Sequence, residues 1–161
     1  MPHAHLKAVD AIVGERCRSL YDIWHTLTNG RVAPRREEIT LGHVRKQTPW
    51  MWVIDVVDSG ADFRFRLAGD RVVQFLGRRH GDARLSEFPK NVFFERMKRT
   101  LSHCVEHKRP VAIGPVRSGY EGKEHWEVEF VMLPLSEDGE TVSSLMGIME
   151  LWPVGTNRRP A

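Results

Sequence analysis

Two carboxylates, Glu127 and Glu129, stand two residues apart in the segment WEVEFVML. A pair of carboxylates can act as general acid and general base when both reach into one cleft. Here charged and apolar residues alternate, so a strand would carry both carboxylates on its outward face. We interpret both as surface charges. The chain also lacks a Gly-x-Ser-x-Gly nucleophile motif, a phosphate-binding loop and a His-Glu-x-x-His zinc motif, so we do not expect an enzyme.

Histidine is a common metal ligand, but the spacing of the histidines does not indicate a metal site. His3 and His5 could chelate a metal adventitiously, although a flexible terminus rarely forms a structural site. His25, His43 and His125 have no second ligand at a useful spacing. We therefore expect no bound metal.

The composition is that of one globular domain. The chain has 161 residues, of which 41% are hydrophobic and 28% charged, and its net charge of +3 is too small to indicate nucleic-acid binding. We find no apolar run that could span a bilayer and no secretory signal in MPHAHLKAVD, so we expect a soluble cytoplasmic protein without membrane contacts. Cys17 and Cys104 have no paired-thiol or zinc spacing and are predicted to be reduced thiols in apolar positions.

An apolar stripe near the N-terminus recurs every three or four residues, which predicts one side of a long helix. It consists of Leu6, Val9, Val13, Cys17, Leu20, Trp24 and Leu27. Asn29-Gly30 provides the C-terminal stop. Such a stripe must be buried either on the back of a sheet or on a second copy of the chain. We predict a homodimer interface, in which case deleting residues 1–28 should leave a soluble monomer.

Alternating apolar residues predict five strands in the rest of the chain. They are placed at Trp50 to Val57, Phe63 to Leu67, Val111 to a break at Gly114-Pro115, Trp126 to Leu133, and Ser143 to Trp152. Helical spacing predicts a short helix that ends at Gly77 and a long helix whose N-cap is Asn91. The predicted organisation is an N-terminal helix in residues 1–30, a main domain in 31–153 and a flexible basic tail in 154–161.

Three segments resemble a known family. They are RLAGDRV at 66–72, LGRRHGDARLSEF at 76–88 and EFVMLPLSEDGETVSSLMGIM at 129–149. These segments, and the order of the elements, are similar to a bacterial family of small, stand-alone PAS proteins. The resemblance implies an α+β PAS fold, in which helices close a cavity on one face of a five-stranded antiparallel sheet, with the N-terminal helix as an addition. PAS proteins mostly sense or relay signals, and no catalytic residue pattern comes with this family.

Residues that face inward in a PAS fold would form an apolar pocket wall. They are Trp52, Ile54, Phe65, Leu67, Phe94, Met97, Leu101, Trp126, Val128 and Phe130. One interpretation is a cavity for a small apolar or aromatic ligand. The other is a filled core without a ligand, because aromatic stripes are more common in cores than in cofactor sites.

The resemblance also raises the question of a cofactor. Light-sensing PAS proteins carry a reactive cysteine in the helical cap, but the corresponding stretch here, GRRHG at 77–81, has none. Haem-binding members carry an axial histidine on the long helix, where this chain has His103 and His107. Both fall beside the apolar stripe of that helix rather than in it. We therefore expect neither flavin nor haem.

Three functions are compatible with the sequence. The first is a sensory or regulatory module that binds a small, mostly apolar ligand and signals through a protein partner or its own dimer. The second is a ligand-free interaction module that docks through the outer sheet face, formed by Val131, Leu133, Met146 and Ile148. The third is an enzyme with a similarly curved, cone-shaped fold, which would need polar residues inside the cavity. The predicted interior is almost wholly apolar, which favours the first two.

Overall fold

An antiparallel sheet forms the centre of the molecule. The computed structural model describes residues 6–77 and 81–157. The predicted five-stranded antiparallel sheet of a PAS fold is confirmed, and a two-residue strand widens it at one edge, in the order β1-β4-β5-β6-β2-β3. The strands are β1 (Leu6–Lys7), β2 (Met51–Val57), β3 (Asp62–Ala68), β4 (Val111–Arg117), β5 (Trp126–Leu135) and β6 (Ser144–Pro153).

Within residues 6–77 and 81–157, four α-helices lie around this sheet. They are α1 (Glu15–Thr28), α2 (Leu41–Val44), α3 (Asp70–Leu76) and α4 (Val92–His107). The predicted N-cap of the long helix is confirmed, because the Asn91 Oδ1 accepts a hydrogen bond from the Phe94 backbone N–H at 2.9 Å. Asn29 ends α1 in the left-handed conformation, as the Asn-Gly stop predicts. Among the described residues, no helix is long and apolar enough to cross a membrane.

The N-terminal helix is shorter than its apolar spacing predicts. Leu6 and Lys7 instead pair with β4 as an edge strand, and α1 begins only after Gly14. Gly14 lies against the sheet so closely that a Cβ there would be 2.6 Å from the Glu150 Oε2. Spacing alone could not reveal this start, because the free backbone groups of β4 offer Leu6 and Lys7 hydrogen bonds that compete with a helix.

Helix α1 covers the outer face of the sheet. Its side chains Cys17, Leu20 and Trp24 pack with the outward residues of β5 and β6, namely Val131, Leu133, Met146 and Ile148, and all seven are buried. The Trp24 indole N–H donates to the Pro134 carbonyl oxygen at 2.7 Å. The stripe on which the homodimer prediction rests is therefore used within the chain, and the docking face of the interaction-module hypothesis is covered by the same helix.

A β-bulge changes the face on which Leu67 lies. Ile54 pairs with Phe65, whereas its neighbour Val53 pairs with Leu67, so Arg66 is an extra residue in β3. The alternation shifts by one position there, and Leu67 joins the outer face, where it is 58% exposed. The prediction that Leu67 lines the inner pocket is therefore wrong. A second irregularity, between Ile113 and Val116, replaces the predicted break in β4.

Candidate functional site

The inner face of the sheet carries the predicted pocket wall. Eight of its ten predicted residues are buried in one apolar cluster between the sheet, α3 and α4, called the inner cluster below. They are Trp52, Ile54, Phe65, Phe94, Met97, Leu101, Val128 and Phe130. Trp126 is half-buried and packs against the cluster, and Leu67 is the exception already described. The structure thus brings nine of the ten together from the sheet and the long helix.

Aromatic side chains that the sequence reasoning missed complete the inner cluster. Phe75 of α3, Phe88 and Phe93 are buried, and Tyr120 packs against them from the β4–β5 loop. The Phe93 ring lies 5.2 Å from the Tyr120 ring and 5.7 Å from the Phe130 ring, both edge-on. Phe75 and Phe93 could have been found from the sequence, because each lies at helical spacing from other apolar residues of its own helix. Tyr120 lies in a loop and carries no periodic signal.

Trp52 supplies a polar group inside this apolar environment. The side chain is 2% exposed, and its indole Nε1–H has no hydrogen-bond partner among the described residues. The ring packs edge-on against Phe130 at 5.8 Å and lies directly over Gly147 of the neighbouring strand. A buried donor without an acceptor costs about 1–3 kcal/mol. An acceptor brought in by a ligand would remove this cost.

The contact between Trp52 and Gly147 leads to a stability prediction. A Cβ at Gly147 would lie 2.2 Å from the Trp52 Cε2, and the ring is held in place by buried neighbours. Gly147→Ala should therefore destabilise the protein by about 1–3 kcal/mol through overpacking. The control is Gly42→Ala, whose Cβ would meet only the Thr40 Oγ1 at 3.6 Å. Urea unfolding of both variants checks the prediction, and equal stabilities would contradict it.

Two side chains, Asp62 and Tyr120, bind residues in or next to the inner cluster through hydrogen bonds. The Asp62 carboxylate accepts hydrogen bonds from the Ser86 Oγ at 2.6 Å and from the Ser86 backbone N–H at 3.2 Å. Partial burial raises the pKa of Asp62, but these hydrogen bonds outweigh it and hold the pKa below its usual range. The Tyr120 hydroxyl donates to the Leu76 carbonyl oxygen at 2.6 Å. Ser86 is thus tied to β3, and the end of α3 is tied to the β4–β5 loop.

The prediction that Glu129 is a surface charge is wrong, because its side chain is fully buried on the outer face of the sheet. Its carboxylate accepts hydrogen bonds from the backbone N–H groups of Val13 at 2.8 Å and Gly14 at 2.7 Å, and it forms an ion pair with Lys7. The alternation correctly placed Glu129 outward. It could not show that β1 and the start of α1 would cover that position.

Glu150 of β6 lies directly opposite Glu129 of β5. It also binds the start of α1. Its Oε2 accepts a hydrogen bond from the Arg16 backbone N–H at 3.0 Å, and its Oε1 lies 3.3 Å from the Arg16 guanidinium. Burial raises the pKa of Glu150, while Arg16 lowers it. Burial, followed by the charges of both glutamates, raises the pKa of the Cys17 thiol well above its ordinary value, so Cys17 is an unreactive, protonated thiol.

The two histidines considered as haem ligands stack on one another on α4. Their ring centroids are 4.0 Å apart, and the His107 Nδ1 lies 3.0 Å from the His103 carbonyl oxygen. Neither side chain belongs to the inner cluster. Three residues of the stretch considered for a flavin cysteine, 78–80, lie outside the described residues, as do His3, His5 and the last four residues of the predicted tail.

Comparison with known families agrees with this architecture. The chain matches the family model of the PAS domain over residues 14–150. The matched region begins just before α1 and ends within β6, so it includes both faces of the sheet. No curated protein matches the chain. Because the family model covers most of the sequence and the structure contains the expected five-stranded antiparallel sheet, the chain belongs to the PAS domain family.

Proposed function

We propose that this sensory or regulatory module binds a small, mostly apolar ligand in the inner cluster and passes the change to a protein partner or to a second copy of itself. The observation that carries the proposal is the buried Trp52 N–H, which has no acceptor among the described residues. An aromatic ligand with one carbonyl or ether oxygen would pack against the rings and accept this hydrogen bond. The cluster consists of apolar side chains, including aromatic rings, three methionines and Cys104, which favours binding over catalysis.

The strands β5 and β6 offer a route for the signal. Along β6, Gly147 and Met149 face the inner cluster, whereas Met146 and Ile148 face α1. A ligand that shifts the Trp52 ring relative to Gly147 would therefore change the packing against β6, whose other side supports α1. The homodimer remains a prediction, and its interface would use a surface other than the buried stripe of α1. With two buried free thiols, the chain fits a reducing compartment, and we propose the cytoplasm.

Filling the inner cluster tests this proposal. Met97 is 7% exposed on the inward side of α4, and Met97→Trp should occupy the ligand space and abolish binding of a co-purifying or screened apolar ligand at little cost in stability. Met97→Leu conserves volume and should keep the ligand. Native mass spectrometry of freshly purified protein reports the ligand and the oligomeric state, and a thermal melt reports the stability.

Trp52→Phe in the same titration tests the hydrogen bond. Losing the N–H donor should weaken the binding of an oxygen-containing ligand by about two- to tenfold, which corresponds to one ordinary hydrogen bond. Trp152, which lies outside both apolar clusters, provides the control variant, Trp152→Phe. If wild-type protein shows no ligand, and Met97→Trp destabilises it by about 1–3 kcal/mol, the inner cluster is a packed core. That result would contradict the proposal.

A further inference from the structure

A pocket lies on the outer face of the sheet, between α2 and strands β2 and β3. Its volume is about 320 Å³, which lies within the range of small-molecule sites. The wall is mainly apolar and includes Ile39, Leu41, Val44, Met51, Val53 and Leu67. We call it the outer groove. Met51 and Val53 face the opposite side of β2 from Trp52 and Ile54, so the outer groove opens on the outer face of the sheet. Trp52 and Ala68 of the inner cluster also border it.

The bulge in β3 builds one wall of the outer groove. Without the extra residue Arg66, Leu67 would face the inner cluster. With it, Leu67 faces Leu41 of α2 across the groove, and these two side chains are 58% and 61% exposed. Large apolar side chains that converge on one groove indicate a binding site more strongly than single exposed ones do.

Arg36 provides a positive charge at the outer groove and is the charged member of its described lining. Its guanidinium makes no hydrogen bond or ion pair with the described residues, whereas the neighbouring Arg31 and Arg35 both pair with Glu38. The nearby Glu137 carboxylate accepts a hydrogen bond from the Arg36 backbone N–H at 3.5 Å. The guanidinium is therefore available to an anion brought by a ligand.

We propose that the outer groove binds an amphipathic carboxylate, with its hydrocarbon chain between Leu41 and Leu67 and its carboxylate on Arg36. A guanidinium can bind a carboxylate through two parallel hydrogen bonds, which sets the orientation of the chain. The volume suits a single medium-length chain rather than a partner helix, whose apolar face needs a longer groove. This site is distinct from the one proposed for the inner cluster, although Trp52 borders both.

Titration calorimetry with decanoate, below its micelle concentration, tests the proposal on the full chain. Arg36→Gln should lower the affinity for decanoate by about tenfold or more, which is the effect expected for a hydrogen bond to a charged group. The same variant should leave the affinity for decanol unchanged. Leu67→Asn should weaken the binding of both probes. The control Val92→Asn, at a side chain 55% exposed on α4, should change neither.

Three results would contradict the proposal that decanoate binds in the outer groove. The first is that the wild-type protein does not bind decanoate, and the second is that the wild type, Arg36→Gln and Leu67→Asn bind it with equal affinity. The third is that Met97→Trp abolishes decanoate binding while Leu67→Asn does not, which would place the ligand in the inner cluster and support the function proposed above. The altered side chains at 67 and 92 are both exposed, and a thermal melt of each variant verifies its fold.

Discussion

Replacing Glu129 with alanine should lower the free energy of unfolding by about 3 kcal/mol or more, because buried partners lose their acceptor. The backbone N–H groups of Val13 and Gly14 both donate to this carboxylate, through a part-buried and a buried hydrogen bond respectively. Lys7, whose side chain is 18% exposed, would lose its ion pair but could turn toward solvent. Urea unfolding measures the change.

The exposed Glu121 provides the control, since Glu121→Ala should change stability by at most about 0.5 kcal/mol. A double-mutant cycle with Lys7→Met separates the ion pair from the two backbone hydrogen bonds. Most of the loss should persist in the Lys7→Met background. A change below about 1 kcal/mol for Glu129→Ala would contradict the prediction, because it would mean that the carboxylate is solvated and does not anchor the start of α1.

A chain that begins at Asn29 should fail to form a stable, soluble domain. Deleting residues 1–28 would expose four outer-face side chains that are now 0–2% exposed: Val131, Leu133, Met146 and Ile148. An apolar patch of this kind promotes aggregation, and the loss of packing lowers stability. The soluble fraction on expression, binding of a hydrophobic dye and the near-ultraviolet circular dichroism measure the result.

Point variants in α1 extend this test to protein that still folds. Trp24 is 4% exposed and also donates a hydrogen bond to Pro134, so Trp24→Ala should cost about 3–5 kcal/mol. Asp22 lies on the exposed side of the same helix, and Asp22→Ala should have little effect. A soluble, cooperatively melting monomer after deletion of residues 1–28 would contradict the role of α1 as a cover. That result would favour the prediction from the sequence that the apolar stripe of the N-terminal helix forms a homodimer interface.

The function we propose depends on a sheet that is covered on both faces. The inner cluster contains the proposed ligand site, and the outer face holds α1 through apolar packing and two buried carboxylates. Strands β5 and β6 contribute alternate residues to both sides. A change in packing on one face can therefore alter the packing on the other face, and no hinge elsewhere in the chain is needed.

The sequence by itself predicted the five main strands, helices α3 and α4 and most of the inner cluster. A strand repeats every two residues and a helix every 3.6, so the inward positions of β2, β5 and α4 follow from local spacing. Asn91 and Asn29 set the start of α4 and the end of α1 through interactions within one turn of chain. The segments that resemble PAS proteins implied that the strands form one five-stranded antiparallel sheet with helices over one face, which spacing alone does not contain.

Only the tertiary structure decided what covers each face and where the register changes. The alternation put Glu129 outward, but β1 and the start of α1 buried it, and these are more than 110 residues away in sequence. Leu67 changed face because the bulge at Arg66 is defined by pairing with β2, which β3 alone does not encode. The Trp52 ring lies over Gly147 because two distant strands are neighbours in the sheet. Local spacing determines the side on which a residue points, whereas long-range packing determines what it meets there.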